Sequence, residues 1–527
     1  MPDTVAGTAD NATNGARASS QSSPAGTVTV KPGRHREASL YHALAGAGAG
    51  DGRTLAELRE AAREAFEHSE LPVWRRSGFW TTSFAELDRR LLARLCPSGR
   101  APEGVPAIPE HSDGVDADGV NAEEAPRARV KGSSLNARAR DATPEFITNA
   151  LPDRPRAGRI VQLDSSVVHI ELDPALAERG VILCSLEQAA EEHRELFEQW
   201  YCKRLTIDRH KLESANAAFW TGGAFLYVPD GLVVEDPFEI VYAIGGPGVA
   251  QYGRTLVIGG QSSDFRVHEH DLAADFDAGQ SLHAGAFELY LQDNARCRLA
   301  QVQDWGGGQA SDNGGQGGEV FDASTRFVGV GRDAYCHWLP ALLGGHLVRQ
   351  HLELAVSEPG GDMAFRGLFF TEAEEHLDTF AVDLHETGPS GGDVHWRGAA
   401  TGQSRASFEG LIQIDPGAQK THTYLQIHTM MLSPKARLDA IPSVLVSADD
   451  VSASHGGTVG ELDEASIFYM ASRGLDRPAA VRLLVEGFFE PVLGQLEDEP
   501  LEELVRAKIA AKLARAKDDI EAYATAR

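Results

Sequence analysis

The sequence is short of several things, and each shortage removes a class of protein. It has five cysteines, Cys96, Cys184, Cys202, Cys297 and Cys336, widely scattered and with no CxxC pair among them. Neither a disulfide framework nor a self-contained zinc or iron–sulfur cage is encoded, so any metal must draw on histidines, carboxylates or a second chain. No stretch approaches the roughly 20 apolar residues of a membrane span. The first residues place Asp3 and Asp10 where a leader would carry basic and then apolar groups, and the expected location is the cytoplasm. Basic charge is short as well: 49 Lys+Arg stand against 77 Asp+Glu, and the formal charge of −28 repels phosphate backbones and anionic lipid. Neither nucleic acid nor a membrane is an expected partner. The Gly-rich pieces Gly245-Gly246-Pro247-Gly248 and Gly306-Gly307-Gly308 lack the Lys-Ser/Thr pair of a phosphate-binding P-loop, so they read as turns and the chain is expected to hydrolyse no ATP itself.

What is present suffices for a large fold. Over 527 residues, 42% hydrophobic and 24% charged groups fit a globular protein with appended pieces. Residues 1–36 have too few large apolar groups to offset the entropy of ordering and read as a disordered tail. Residues 37–95 form an N-terminal helical region, with Leu55, Leu58, Ala62 and Phe66 at helical spacing, continued by Phe84, Leu87, Leu91 and Leu95. Residues 96–145, dense in Pro, Gly, Asp and Ala, are a flexible linker, and 146–218 a mixed helix and strand lead-in. From 219 to 469 short apolar runs such as Phe225-Leu226-Tyr227-Val228 alternate with Gly, Pro, Asp or Asn. Residues 470–527 return to helix, where Ala480, Leu483, Leu484, Phe488, Val492 and Leu496 make an apolar stripe behind the start signal Asp476 and Pro478.

A β-sandwich and a β-solenoid both fit the strand-rich stretch. A degenerate repeat favours the solenoid: a polar residue, Ala, any residue, then an apolar or small one recur around Ala295, Ala334, Ala364, Ala406 and Ala436, as though each alanine marked a corner of a stacked coil. The fold expected is therefore mainly β with helical ends, a parallel β-helix core flanked by N- and C-terminal helical domains whose presence protects the end rungs.

Several residues are candidates for chemistry. His268-Glu269-His270 in a strand would put two histidines on one face, as in jelly-roll metal enzymes, but no third ligand follows, and the plainer expectation is an exposed, solvated face. His376, His385, His395, His422, His428 and His455 are a loose enrichment that successive rungs could bring together. Cys297 and Cys336 sit at apolar corners and read as small buried thiols.

The segment Asp449-Asp450-Val451-Ser452-Ala453-Ser454-His455-Gly456-Gly457-Thr458-Val459-Gly460, followed by Ile467-Phe468-Tyr469 and Ser472-Arg473-Gly474, resembles the C-terminal signature of the SufB/SufD family of iron–sulfur cluster assembly proteins. Asn216-Ala217-Ala218-Phe219, Tyr227-Val228-Pro229-Asp230-Gly231, Val302-Gln303-Asp304-Trp305, Phe408-Glu409-Gly410-Leu411-Ile412 and Gly487-Phe488-Phe489 agree with it in consistent order. Within the family the chain is most similar to SufD. Where SufB proteins carry a cysteine implicated in nascent cluster formation, the run Ala436-Arg437-Leu438-Asp439-Ala440-Ile441-Pro442 places Pro442, and Gly456 follows His455 where SufB has a glutamate. The Val-Gln-Asp-Trp element and the long linker depart from the SufD pattern.

The resemblance implies a right-handed parallel β-helix core, a SufB-like protein as heterodimer partner, and a SufC-like ATPase docked near the C-terminal helices in a SufBCD-type complex. It implies a scaffold subunit that is not itself an enzyme, with a transient iron–sulfur cluster at the complex interface that this chain does not hold alone; flavin involvement stays open. His455 is the residue it singles out, as a possible iron ligand shared with the partner. The alternative reading is a β-helical or jelly-roll metal-dependent enzyme using His268 and His270.

Overall fold

The structure, a computed structural model, describes residues 53–76, 80–93, 143–306, 318–517 and 519–520. The expected tail 1–36, residues 37–52 and 94–95 of the helical region, Cys96 and all but the last residues of the expected linker lie outside the described residues.

Turn residues at short intervals fold the chain back before any strand grows long. From Arg296 onward each strand pairs in parallel with the strand two further along. Arg296–Asp304 lies beside Tyr335–Leu342, then Asp362–Thr371, Ser390–Ala400, Thr421–Met431 and Ser452–Glu461. The intervening strands Glu319–Val330, Leu347–Val356, His376–His385, Arg405–Ile414 and Arg437–Val446 build the opposite sheet in the same way. The outcome is a ten-stranded and an eleven-stranded sheet joined at every turn, a parallel β-helix and not a sandwich. Antiparallel pairs, Gly158–Leu163 with Ser166–Leu172 and Ile182–Cys184 with Ala224–Val228, close the other end, so the sheets begin well before residue 219.

Alternate residues of each strand point into the space between the sheets. The core there is apolar and aromatic towards the later rungs: Trp338 stacks on Phe365 at 4.8 Å, and Trp396 meets Phe408 at 4.4 Å. The polar-Ala repeat has a physical cause in only part of its series. Asn294 and Asp333 adopt φ of 58° and 52°, a left-handed corner that short polar side chains tolerate, and Ala295 and Ala334 are buried beneath the turn. Ala436 occupies a corner of the other sheet, whereas Ala364 and Ala406 lie inside strands, because register pairs Cys336 with Met363 and Leu377 with Ala406. The alanines therefore do not mark one continuous corner.

At the N-terminal side the helix Leu55–His68 starts from a capping box at Thr54 and Glu57 and buries Leu58, Ala62 and Phe66. Between the two periodic stretches the β-branched and aromatic residues form an antiparallel ribbon, Val73–Arg76 with Trp80–Ser83, and the second stretch gives the short helix Arg89–Ala93. The C-terminal helices Glu464–Ser472, Arg477–Leu493 and Glu499–Arg515 start from the caps Asp463, Asp476 and Asp498. They cover the outer face of the ten-stranded sheet, with Ala480, Val485 and Phe489 buried against Ala341, Leu368, Phe370 and Ala399. No described helix is long and apolar enough to cross a membrane.

Candidate functional site

The last rung, Arg437–Val446 and Ser452–Glu461, is the edge of both sheets. In the rung before it, Leu425 and Ile427 face inward and are fully buried. Their register partners His455 and Gly457 face the same way, yet His455 is exposed because among the described residues no further rung covers it. Opposite stands Pro442: a side chain begun at Gly457 would lie 3.3 Å from its Cγ. The same inward rows bring Val446 and Val459 to the open end, 42% and 46% exposed. Gly456 has no atom within 4 Å of the place a side chain would start, so nothing inside the chain calls for glycine there.

The other candidates are placed differently. His268 and His270 are buried, not solvated, because the turn Leu496–Asp498 and the helix that follows lie over their strand; Arg266 donates to the Glu497 carbonyl at 2.7 Å. His268 Nε2 is 3.8 Å from the Asp498 carboxylate, which also pairs with Arg154, and burial holds both imidazoles well below their usual pKa. The later histidines do not converge. His385 is enclosed between the sheets beside Asp383 and Ser390, His395 pairs with Asp393 on the outer face, and His428 meets Thr458 there. Among the described residues no group of three or more His, Cys, Asp or Glu is arranged to hold a metal ion. Cys297 and Cys336 are register neighbours, fully buried, and burial raises both thiols, which makes them packing residues.

Sequence reasoning missed a charged seam inside the earlier rungs. Arg326 pairs with Glu269 and, at 3.0 Å, with Asp271, while Asp322 accepts from Trp305 Nε1 and Gln350 at 2.8 Å each. The available signal was the run His268 to Asp271, polar on both faces of one strand, which no half-exposed strand explains.

The separated motifs turn out to be structural joints. Asn216 donates to the carbonyls of Gly253 and Ala284 at 2.8 Å each and accepts from Arg254 at 2.9 Å, tying a helix to two rungs. Asn216→Ala strands two buried carbonyls and is expected to cost about 1–3 kcal/mol of stability, read by urea denaturation; an unchanged midpoint would contradict that role. Asp230 accepts from the Gln261 amide at 2.8 Å, and Gly231 turns at φ +67°.

With this geometry in hand, comparison with known proteins is decisive. The family model described as "SUF system FeS cluster assembly, SufBD core domain" matches residues 242–488, and that for the SufBD protein N-terminal region matches 159–240. The chain belongs to the SufBD family. It is similar to the iron–sulfur cluster assembly protein SufD of Bacillus subtilis, 29% identical over 356 residues that make up 67% of this chain and 78% of that protein. A SufBD family protein of Staphylococcus epidermidis is 24% identical over 385 residues, 72% of this chain and 80% of the relative. The SufBD match spans both the strands that open the solenoid and the rung that ends it.

Proposed function

We propose that this chain is the SufD-like subunit of a SufBCD-type scaffold in the cytoplasm, covered at its open rung by a SufB-like protein and served by a SufC-like ATPase. One observation carries the reading. Two ten-residue edge strands with exposed inward-facing valines end the solenoid, their charges confined to Arg437, Asp439 and Glu461 near the strand ends, and among the described residues no further strand pairs with them, an arrangement that offers unpaired backbone for a second chain to cover. His455 stands in that opening. Its imidazole supplies a nitrogen ligand for the iron that is the complex's cargo, and the thiolate comes from the partner, since Pro442 offers no donor.

The C-terminal helical region 470–527 is the ATPase docking domain in this reading. Phe468 and Tyr469 stand 76% and 59% exposed on the helix that leads into it. Ion pairs tie the final helix to the solenoid: Lys508 to Asp304 at 2.5 Å, Lys512 to Glu375 at 3.0 Å, and Arg515 to Glu372 at 2.5 Å. Force applied to these helices when the ATPase subunits close is thereby passed to the sheet that bears His455.

The test is Val459→Arg. The side chain stands 46% exposed on the inward row of the last strand, so the melting temperature is expected to stay put, while recovery of the SufB-like partner on a tag falls by about tenfold or more. Undiminished recovery would place the partner elsewhere.

A further inference from the structure

A cavity of about 560 Å³ lies on the outer face of the eleven-stranded sheet, well inside it and away from the open rung. Trp200, at the end of the helix Arg194–Trp200, and Tyr290 form one wall, their rings 5.0 Å apart and tilted by 39°. Several polar groups around them lack a hydrogen-bond or ion-pair partner among the described residues. Lys203 holds its ammonium 4.1 Å above the Trp200 ring and has no carboxylate partner among the described residues, whereas its neighbour Arg204 is paired with Glu386 at 2.6 Å. Burial and the Arg204 charge hold the Lys203 pKa below its ordinary value, as expected of a cation without a counter-ion. The buried indole N–H of Trp200 has no acceptor among the described residues. Across the cavity stand the Asp293 carboxylate, which has no ion-pair or hydrogen-bond partner among the described residues, and the side chains of Gln261 and Gln292.

A flat aromatic face, a lone ammonium, a donor without an acceptor and a lone carboxylate within one cavity of small-ligand size call for a guest with matching parts. We propose that this cavity binds a nucleotide, its base stacked on Trp200, its phosphate on Lys203 and its ribose hydroxyls on Asp293. The base takes the ring face that Lys203 now covers. Displacing one exposed cation–π contact is a small cost, and the freed ammonium gains a doubly charged partner. Aromatic stacking supplies the rest of the affinity, and a carboxylate recognises a ribose diol as it does in other nucleotide sites. No P-loop is required, because the phosphate rests on a side chain and not on a cradle of amides. The site does not depend on the scaffold reading, and its failure would leave that reading intact.

Calorimetric titration of the full-length chain with AMP, adenosine and inorganic phosphate tests the proposal, with tryptophan fluorescence followed in parallel. AMP is expected to bind with quenching, adenosine about tenfold more weakly, and phosphate alone more weakly still. Lys203→Ala, with an unchanged melting temperature as the check on folding, should bring AMP down to the level of adenosine while adenosine itself is unchanged. Asp293→Asn should weaken both nucleoside ligands and not phosphate. Failure of AMP to bind would overturn the proposal, as would binding indifferent to Lys203→Ala. So would phosphate binding as well as AMP does, which would make the cavity a plain anion site.

Discussion

His455→Ala, introduced into this chain and co-expressed with SufB- and SufC-like proteins, is expected to leave the complex assembled and to lower its iron and acid-labile sulfide by about tenfold or more, since losing a ligand costs at least what losing a ligand's support does. The two halves of the result follow from one position. His455 faces inward at a rung that none of the described residues covers, so its exposed side chain fills no packing space among them, and removal leaves no cavity there. Iron and sulfide would be measured on anaerobically purified complex, with subunit ratios from the same sample. Unchanged iron would remove His455 from cluster assembly; loss of the partner along with the iron would make it an interface residue instead.

The second large effect concerns Arg326→Met. The substitution keeps most of the side-chain bulk but leaves Glu269, Asp271 and Asp322 buried between the sheets without their cation. Removing one partner of a buried ion pair costs about 3–5 kcal/mol, a large share of the stability of most folded domains. The loss depends on pH in a defined direction. Burial raises the Asp322 carboxyl to about 6, and burial together with the neighbouring Glu269 raises Asp271 well above the usual carboxylate range. An acid whose folded pKa is raised contributes stability that is complete below its unfolded pKa near 4 and is lost as pH climbs through the folded value. Without Arg326 these acids are pushed further up, so the deficit against the unsubstituted chain should be larger at pH 8.5 than at pH 6.5. Urea denaturation at the two pH values measures it. Equal deficits would mean that the seam does not hold its carboxylates in this way.

Short strands cut by turn residues left a β-sandwich and a β-helix both open, and the polar-Ala repeat that favoured the β-helix marks left-handed corners at Asn294 and Asp333 but not at Ala364 or Ala406, which lie inside strands. The terminal helices were legible from Asp476, Pro478 and the apolar stripe behind them. His455 was singled out by a local signature, and the structure puts it on the inward row of the last rung. Other features depended on contacts between distant segments. His268 and His270 alternate as exposed strand residues do, and only the chain near Asp498, more than two hundred positions later in the sequence, encloses them. Arg326 looks like any charged strand residue until register brings its strand opposite Glu269 and Asp271. Met363-Ala364 imitates the corner pattern of Asp333-Ala334, but at the corresponding corner Gly360 takes the left-handed turn, at φ 81°. Cavities such as the one beside Trp200 are assembled from loops of several rungs, and no local pattern marks them.

The central claim is that the open rung makes this chain half of a cluster-building interface. The most direct measurement is anaerobic purification through a tag on this chain, once alone and once co-expressed with the SufB- and SufC-like proteins of the same genome, recording absorbance, iron and sulfide. The account predicts that both partners come down with the chain and carry a labile cluster that is missing from the chain purified alone. A chain that stays single in the presence of both proteins, or that holds the same iron without them, would contradict it.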